Sequence, residues 1–340
     1  MCDLDYMHQQ LKMAFHGAAA CCSFCPCGPL MPFSDFDLAT SQWIRNIYTP
    51  AQFLHAHAGN LHLVFSLPGV TIRTVWADYM HCKYMGLDQY FLASVLVICT
   101  FTIAIPGCDT WQRRLNKVWE YCMEWYRENP VDAHSRYKRL VVNMFCKPSA
   151  WRTKFPKLKG RAAEVKRLTP ALLHAWVNMR DPGNPLHTSI ELALHMSLEM
   201  DKILDAHPEK FRLPDDASAD FTSAGFIYLN QYNLLAQSYN VNGDMLFDVT
   251  CKAHFVGHIA IRASDLNPRR SWCFSGERMM LLMRRIAQSC TRATKERDVC
   301  QKIFSKYRHA LNFTLTDAAE WLGGMELDAM MEEIGEVIEE

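Results

Sequence analysis

Hydrophobic positions in the second half of the chain recur at the spacing of amphipathic helices. Between residues 111 and 126 the apolar side chains fall on one helical face, and Pro130 ends the pattern. A further helix is predicted to open at Thr188, which has capping-box spacing to Glu191, and another covers about residues 219–239. The sequence therefore predicts a predominantly α-helical protein.

A shorter pattern of period two precedes these helices. β-Branched and aromatic residues alternate from residue 70 to 77, which predicts a strand over roughly residues 71–77 within a small residual sheet. Asp78 lies at the predicted strand end, and His81 follows three residues later at the start of a helix. Such a pair can share a metal ion or a hydrogen bond. Simple N-capping by Asp78 explains the same spacing and is the preferred interpretation.

Residues 89–108 carry no formal charge and approach the length of a membrane span. The segment also contains serine and threonine, ends in Pro106-Gly107, and is flanked by Asp88 and Asp109. These features favour a buried core helix over a membrane span.

The overall charge balance points to no class of partner, because 36 Lys and Arg match 36 Asp and Glu in 340 residues. A local cluster of basic residues does point to a class of partner. Residues 151–168 contain seven basic residues, one acid and two interleaved aromatics, which is typical of a phosphate-binding segment. A solvated basic loop remains the alternative. The predicted contacts to DNA, weak and independent of sequence, are Lys154, Lys157, Lys159, Arg161, Arg269 and Arg270.

The chain has 14 cysteines, and its N-terminus lacks the layout of a secretion signal. We therefore expect an intracellular protein, nuclear or cytoplasmic, with free or metal-bound thiols rather than disulfides. Cys22 and Cys25 have the spacing with which two thiolates bind one Zn²⁺. No second pair of this kind follows, so the remaining ligands are open, and a metal-free thiol cluster is an equal alternative. The candidates to complete the site are His16, Cys27, His81 and Cys82.

Two later groups also contain functional residue types. Lys252, His254 and His258 lie on one face of a predicted helix. Ser275 can cap a helix that carries Glu277 near its start, where the helix dipole favours a carboxylate even without a catalytic role. The segment 317–340 has nine acids and no base, which indicates a solvated or autoinhibitory tail.

The order of these motifs resembles the downstream part of eukaryotic DDE transposases of the CACTA type and their relatives. The resemblance covers most of residues 1–312. It is carried by Asp3-Leu4-Asp5-Tyr6, by Cys22-x-x-Cys25, by Asp78-Tyr-Met-His81, by Glu277-Arg-x-Met within residues 272–280, and by Lys306-Tyr307-Arg308.

The resemblance implies a ribonuclease-H-like core interrupted by a large helical insertion. Residual core would occupy residues 1–100, the insertion 101–265, C-terminal core helices 266–312 and the acidic tail 313–340. In such enzymes three carboxylates hold two Mg²⁺ or Mn²⁺ ions. Asp3 or Asp5 would match the second aspartate, Glu277 the final acid, and Asp78 with His81 a supporting motif. Asp78 and Glu277 would then share a cleft, with carboxylates about 4–8 Å apart.

The chain begins downstream of the position where the family has its first catalytic aspartate. We therefore expect a transposase-derived remnant that binds nucleic acid without cleaving DNA or transferring strands by itself. If it is active, the resemblance implies a metal-dependent transposase or nuclease. The alternative is a helical interaction or scaffold protein whose thiols are structural. No membrane partner is expected, and assembly into a homo-oligomer is left open.

Overall fold

A computed structural model describes residues 4–14, 21–291 and 295–321 of the protein. Helices dominate this part of the chain, which confirms the predicted helical class. The helices are α1 (Leu4–Gln9), α2 (Gln42–Arg45), α3 (Pro50–Ala56), α4 (Tyr79–Cys82), α5 (Asp88–Val97), α6 (Trp111–Glu128), α7 (Ala162–Met179), α8 (Pro185–Ala206), α9 (Asp215–Val241), α10 (Cys251–Ile261), α11 (Phe274–Thr291) and α12 (Glu296–Trp321).

Shorter helical turns connect several of these helices. The 3₁₀ turns are Leu63–Ser66, Ile72–Thr74, Ala133–Ser135, Val142–Met144, Pro148–Ala150 and Pro268–Ser271, and the π turns are Lys83–Leu87 and Ile98–Thr102. The described residues contain no β-strand, only an isolated antiparallel bridge between Gly28 and Met31. The predicted residual sheet is therefore absent from this part of the chain, and the ribonuclease-H-like core remains a prediction.

The predicted strand at residues 71–77 is wrong, because local hydrogen bonds fold its centre into a 3₁₀ turn. The Thr71 hydroxyl accepts from the Arg73 backbone N–H at 3.2 Å, and the Thr74 hydroxyl accepts from the Thr71 N–H at 3.1 Å. Threonine side chains can replace ladder hydrogen bonds in this way when no strand pairs with the segment. The β-branched residues of this segment favour a strand, but no neighbouring strand among the described residues pairs with it.

The chain divides into two compact units, Met1–Cys273 and Phe274–Glu340. The first contains α1 to α10, and in the second α11 packs against α12. The division lies eight residues after the predicted end of the helical insertion at residue 265, and the predicted boundary at residue 100 falls inside the first unit.

Long helices form the core of the first unit. α8 packs against α9 and α7, α7 also packs against α6, and α10 packs against α9. A continuous helical run, Tyr79–Thr102, crosses this core. It is long and apolar enough to span a membrane, but 78% of its most apolar window is buried inside the fold, as in the core helix of a soluble domain. The length and composition of this one helix are weak evidence for a span.

The first π turn carries a buried ionic network. Lys83 Nζ donates to Asp88 Oδ2 and to Ser197 Oγ, both at 2.8 Å, and lies 3.6 Å from Asp201 Oδ1. Burial alone would lower the Lys83 pKa, but the nearby Asp201 and Asp88 carboxylates raise it above its usual value. Lys83 is therefore a charged residue that joins the helical run to α8.

Candidate metal centre and nucleic-acid surface

The cysteine-rich segment 21–27 makes a tight turn that directs several thiols inward. Cys22 is 6% exposed, Cys25 1% and Cys27 3%. The Phe24 backbone N–H donates to Cys22 Sγ at 3.2 Å, and the Ala14 N–H donates to Ser23 Oγ at 2.7 Å. Hydrogen bonds from the backbone to a thiolate stabilise its negative charge, so this turn is suited to binding a cation.

Helix α10 supplies imidazoles to the same place. His254 and His258 lie one turn apart and therefore share a face. The Trp43 ring packs against both, with centroid distances of 4.3 Å to His254 and 4.7 Å to His258. A Cβ atom at Gly257 would lie 3.0 Å from the Trp43 ring, so glycine allows this close approach. Close packing thus holds the α10 histidines in fixed positions.

The two segments form a buried group of metal-binding donors. Ligand atoms of Cys22, Cys25, Cys27 and His254 all lie within 4.8 Å of one another. His254 Nε2 is 3.2 Å from Cys25 Sγ, and His254 Nδ1 is 3.1 Å from the carbonyl oxygen of Phe33. A proton on Nδ1 would satisfy this carbonyl and leave the Nε2 lone pair for a metal. Three thiols and one imidazole are a donor set typical of structural zinc sites, so the cluster can hold such a metal ion.

Burial and mutual hydrogen bonds shift the pKa values of the cluster thiols in opposite directions. Burial is the largest cause that raises the pKa of Cys22. Hydrogen bonds from Cys22 and Cys25 lower the pKa of Cys27 well below its usual value. Burial lowers the pKa of His258, and the neighbouring His254 and Arg262 lower it further. A divalent cation would be needed to hold all three sulfurs as thiolates.

A disulfide joins the same two segments beside the cluster. Cys21 is bonded to Cys251, the first residue of α10, across 230 positions of sequence. This disulfide corrects the expectation that the cysteines are free or metal-bound thiols. The other described cysteines are thiols, as expected. Cys21 Sγ is 3.9 Å from Cys27 Sγ, so the disulfide and the metal-binding group are in contact.

Both members of the predicted pair, Cys22 and Cys25, lie in this group, and so does Cys27, one of the candidates to complete the site; Cys82 is not a member. His16 lies outside the described residues. His81 is not a member of the group, and its Nδ1 is hydrogen-bonded to Asp78. His254 was not predicted as a ligand, although its spacing to His258 on one helical face was visible in the sequence.

Asp78 caps α4, as the preferred interpretation expected, and its carboxylate makes two further contacts. Oδ1 accepts from the backbone N–H groups of Met80 at 2.9 Å and Cys273 at 3.2 Å, while Oδ2 lies 2.5 Å from His81 Nδ1. Burial opposes ionisation of Asp78, but hydrogen bonds from His81 and Cys273 outweigh it and lower the pKa. Asp78 is thus a buried carboxylate whose two oxygens are both engaged by protein groups.

The other predicted catalytic acids do not form a carboxylate cluster among the described side chains. Asp5 is exposed on α1. Asp3 lies outside the described residues, and Glu277 belongs to α11 at a position whose side chain is also outside them. The predicted 4–8 Å separation of Asp78 and Glu277 therefore remains a prediction. Within the described part, the group suited to a metal is the cysteine–histidine cluster.

Three of the predicted nucleic-acid contacts lie on one exposed segment. Lys154, Lys157 and Lys159 are exposed, whereas Leu158 is fully buried. Backbone N–H groups of Lys157, Leu158 and Lys159 donate to the carbonyl groups of Phe145, Gln89 and Met144 at 3.0, 3.0 and 2.7 Å. The segment is therefore fixed in an extended form in which side chains alternate, so Lys157 and Lys159 both face outward.

Tertiary structure adds a fourth lysine to this segment. Lys157 Nζ lies 5.1 Å from the Tyr90 ring centroid. Burial lowers the pKa of Lys157, and the ammonium group of Lys252 lowers it further, while Asp248 opposes them. Lys252 lies near Lys157 despite 95 residues of separation; its side chain is half-buried, and its Nζ donates to the carbonyl group of Met85 at 3.3 Å. We call Lys154, Lys157, Lys159 and Lys252 the lysine surface.

The remaining predicted contacts are engaged by protein oxygens. Arg161 pairs with Glu164 at 3.0 Å at the start of α7. Arg269 Nη1 lies 2.8 Å from Asp205 Oδ1, and Arg270 Nη2 donates to the carbonyl group of Glu209 at 2.7 Å. These arginines are less available to phosphates than Lys154, Lys157 and Lys159.

No family model, curated protein or solved structure matches the chain.

Proposed function

We propose that the protein is a transposase-derived nucleic-acid-binding protein whose cysteine-rich segment is held on α10 by zinc. One contact carries the proposal: the hydrogen bond from the Cys273 N–H to Asp78 Oδ1. It joins the Asp78–His81 motif to Cys273, the last residue of the first unit, about 200 residues later in the chain. Cys273 lies in the sequence motif of residues 272–280, so this hydrogen bond within the first unit supports the resemblance.

Zinc is the proposed metal because thiolate and imidazole donors favour it over Mg²⁺ or Mn²⁺, which prefer oxygen ligands. Its role would be structural, since four protein donors would leave no open coordination position. Metal analysis of protein purified under reducing conditions should give about one equivalent of zinc. The Cys25→Ser variant should lose it, whereas Cys82→Ser, a buried thiol outside the group, should retain it.

The proposed nucleic-acid surface is the lysine surface. Phosphate neutralisation releases counterions, so log K should fall with log salt concentration at a slope of about −0.9 per phosphate contact. Four contacts give a slope of about −3.6, or roughly a hundredfold loss of affinity between 50 and 200 mM salt. Fluorescence anisotropy with duplexes of unrelated sequence measures both affinity and slope.

The test compares two fourfold glutamine variants, since glutamine keeps much of the side-chain stem. Replacing the lysine surface should weaken binding and flatten the slope. The matched control replaces four basic residues that have protein partners, and binding should change little. The control residues are Arg161, Lys202, Arg269 and Arg270. Equal effects of the two variants, or no effect of the first, would refute the proposed surface.

A helical scaffold protein is the second candidate. It is favoured by the full engagement of the Asp78 carboxylate, which behaves as a structural cap. A scaffold predicts no salt-dependent DNA binding at all. A nuclease assay with Mg²⁺ or Mn²⁺ separates both candidates from an enzyme, because metal-dependent cleavage abolished by Glu277→Gln would identify a working catalytic acid.

A further inference from the structure

The metal-binding group has one more donor than a tetrahedral ion needs. His258 Nε2 lies 3.1 Å from His254 Nε2 and 3.4 Å from Cys22 Sγ, although His258 is not one of the four clustered ligands. With Zn–S of about 2.3 Å and Zn–N of about 2.0–2.1 Å, neighbouring nitrogen and sulfur donors of a tetrahedral site lie roughly 3.3–3.6 Å apart. The distance from His258 to Cys22 lies in this range, and the distance from His258 to His254 is about 0.2 Å shorter.

We propose that His258 is an alternative fourth ligand, so that the centre holds zinc through Cys22, Cys25 and His254 together with either Cys27 or His258. The inference rests on the zinc centre proposed above. In the first form three thiolates bind the ion, and in the second two thiolates and two imidazoles do.

The surroundings of His258 leave it available for this role. Its side chain is 3% exposed, and its Nδ1 is a buried atom that finds no hydrogen-bond partner. The rings of Phe24 and Trp43 pack against it at 5.4 and 4.7 Å, so its position is fixed without polar contacts at Nδ1. The nearest polar groups to its Nε2 are therefore other members of the centre.

Cys27 is the ligand that His258 would replace. Cys27 Sγ is 3.9 Å from Cys21 Sγ in the disulfide, whereas Cys25 Sγ is 3.2 Å from His254 Nε2. The Cys27 sulfur therefore has a second sulfur neighbour outside the centre. A centre with two candidates for one position keeps its metal when either candidate is removed.

The experiment uses the full chain with Zn²⁺ and, separately, with Co²⁺. Cys27→Ser and His258→Gln should each retain about one equivalent of zinc, whereas the double variant should fall below about half an equivalent. The thiolate-to-Co²⁺ charge-transfer band, which grows with the number of thiolates, should fall by about one third in Cys27→Ser and stay unchanged in His258→Gln. His195→Gln, an exposed histidine on α8, is the matched control and should behave as wild type.

Several outcomes would overturn the inference. If Cys27→Ser loses zinc as completely as Cys25→Ser, His258 is not a ligand. If the double variant keeps a full equivalent, another donor completes the site. Circular dichroism of every variant identifies loss of fold, and if the double variant does not fold, loss of zinc by a folded Cys27→Ser still refutes the inference. Absence of zinc from the wild-type protein would instead refute the centre itself, and this inference with it.

Discussion

Asp78 offers the sharpest test of how the first unit is held together. Its carboxylate is fully buried and accepts hydrogen bonds from Met80, Cys273 and His81. Loss of an N-cap costs about 1 kcal/mol. Each further hydrogen bond to a charged group contributes about 1.5–3 kcal/mol, less what neighbouring groups recover by relaxing. We therefore expect Asp78→Ala to lower the free energy of unfolding by about 3–4 kcal/mol.

Asp78→Asn should cost less, about 1–2 kcal/mol, because an amide oxygen can still accept from backbone N–H groups while the negative charge is lost. Thr110→Ala is the matched control: Thr110 caps α6 through one exposed hydrogen bond from Arg113, and its loss should cost about 1 kcal/mol. Urea denaturation at pH 7, followed by circular dichroism, measures all three variants. If Asp78→Ala costs no more than Thr110→Ala, the contacts to His81 and Cys273 contribute nothing.

The same residue gives a pH dependence of known sign. The pKa of Asp78 is lower in the folded protein than its usual value of 3.8. The ionised carboxylate therefore stabilises the fold fully above that value, and the contribution disappears as the pH falls through the lower folded pKa. The stability difference between wild type and Asp78→Ala should not shrink between pH 7 and about 5, and it should shrink below about 4. A difference that shrinks near neutral pH would contradict this assignment.

Further predictions concern the core and the metal. Lys83→Met should cost about 3–5 kcal/mol by leaving Asp88 and Asp201 without their buried cation, measured by urea denaturation. Gly86→Ala should cost about 1–3 kcal/mol, because the new Cβ would lie 2.9 Å from the carbonyl oxygen of His81; an unchanged melting temperature would show that the π turn adapts freely. Chelation of zinc held at a hundred times its Kd should remove about 2.7 kcal/mol and lower the melting temperature by roughly 5–10 °C, and re-addition should restore it.

Local patterns in the sequence were enough to predict structural features formed by residues that are close together in the chain. The period of apolar residues predicted α6, which runs from Trp111 to Glu128 with Leu115, Val118 and Cys122 buried. The position of Asp78 before a helical pattern predicted its cap, and the spacing of Cys22 and Cys25 predicted that both thiols could approach one ion. Each inference involves residues within a few turns of one another, where backbone geometry alone sets the distances.

Tertiary structure decided the features that depend on residues far apart in sequence. Residues 71–77 had strand-like composition, but a strand requires a partner, and none of the described residues pairs with them as a strand. The remaining metal donors were open in the sequence because His254 lies 229 positions after Cys25, and only the packing of segment 21–27 on α10 brings them to 3.2 Å. Lys252 joins Lys157 for the same reason. Sequence spacing determines which side chains share a turn or a face, whereas the burial of hydrophobic surface between elements determines which of those faces meet.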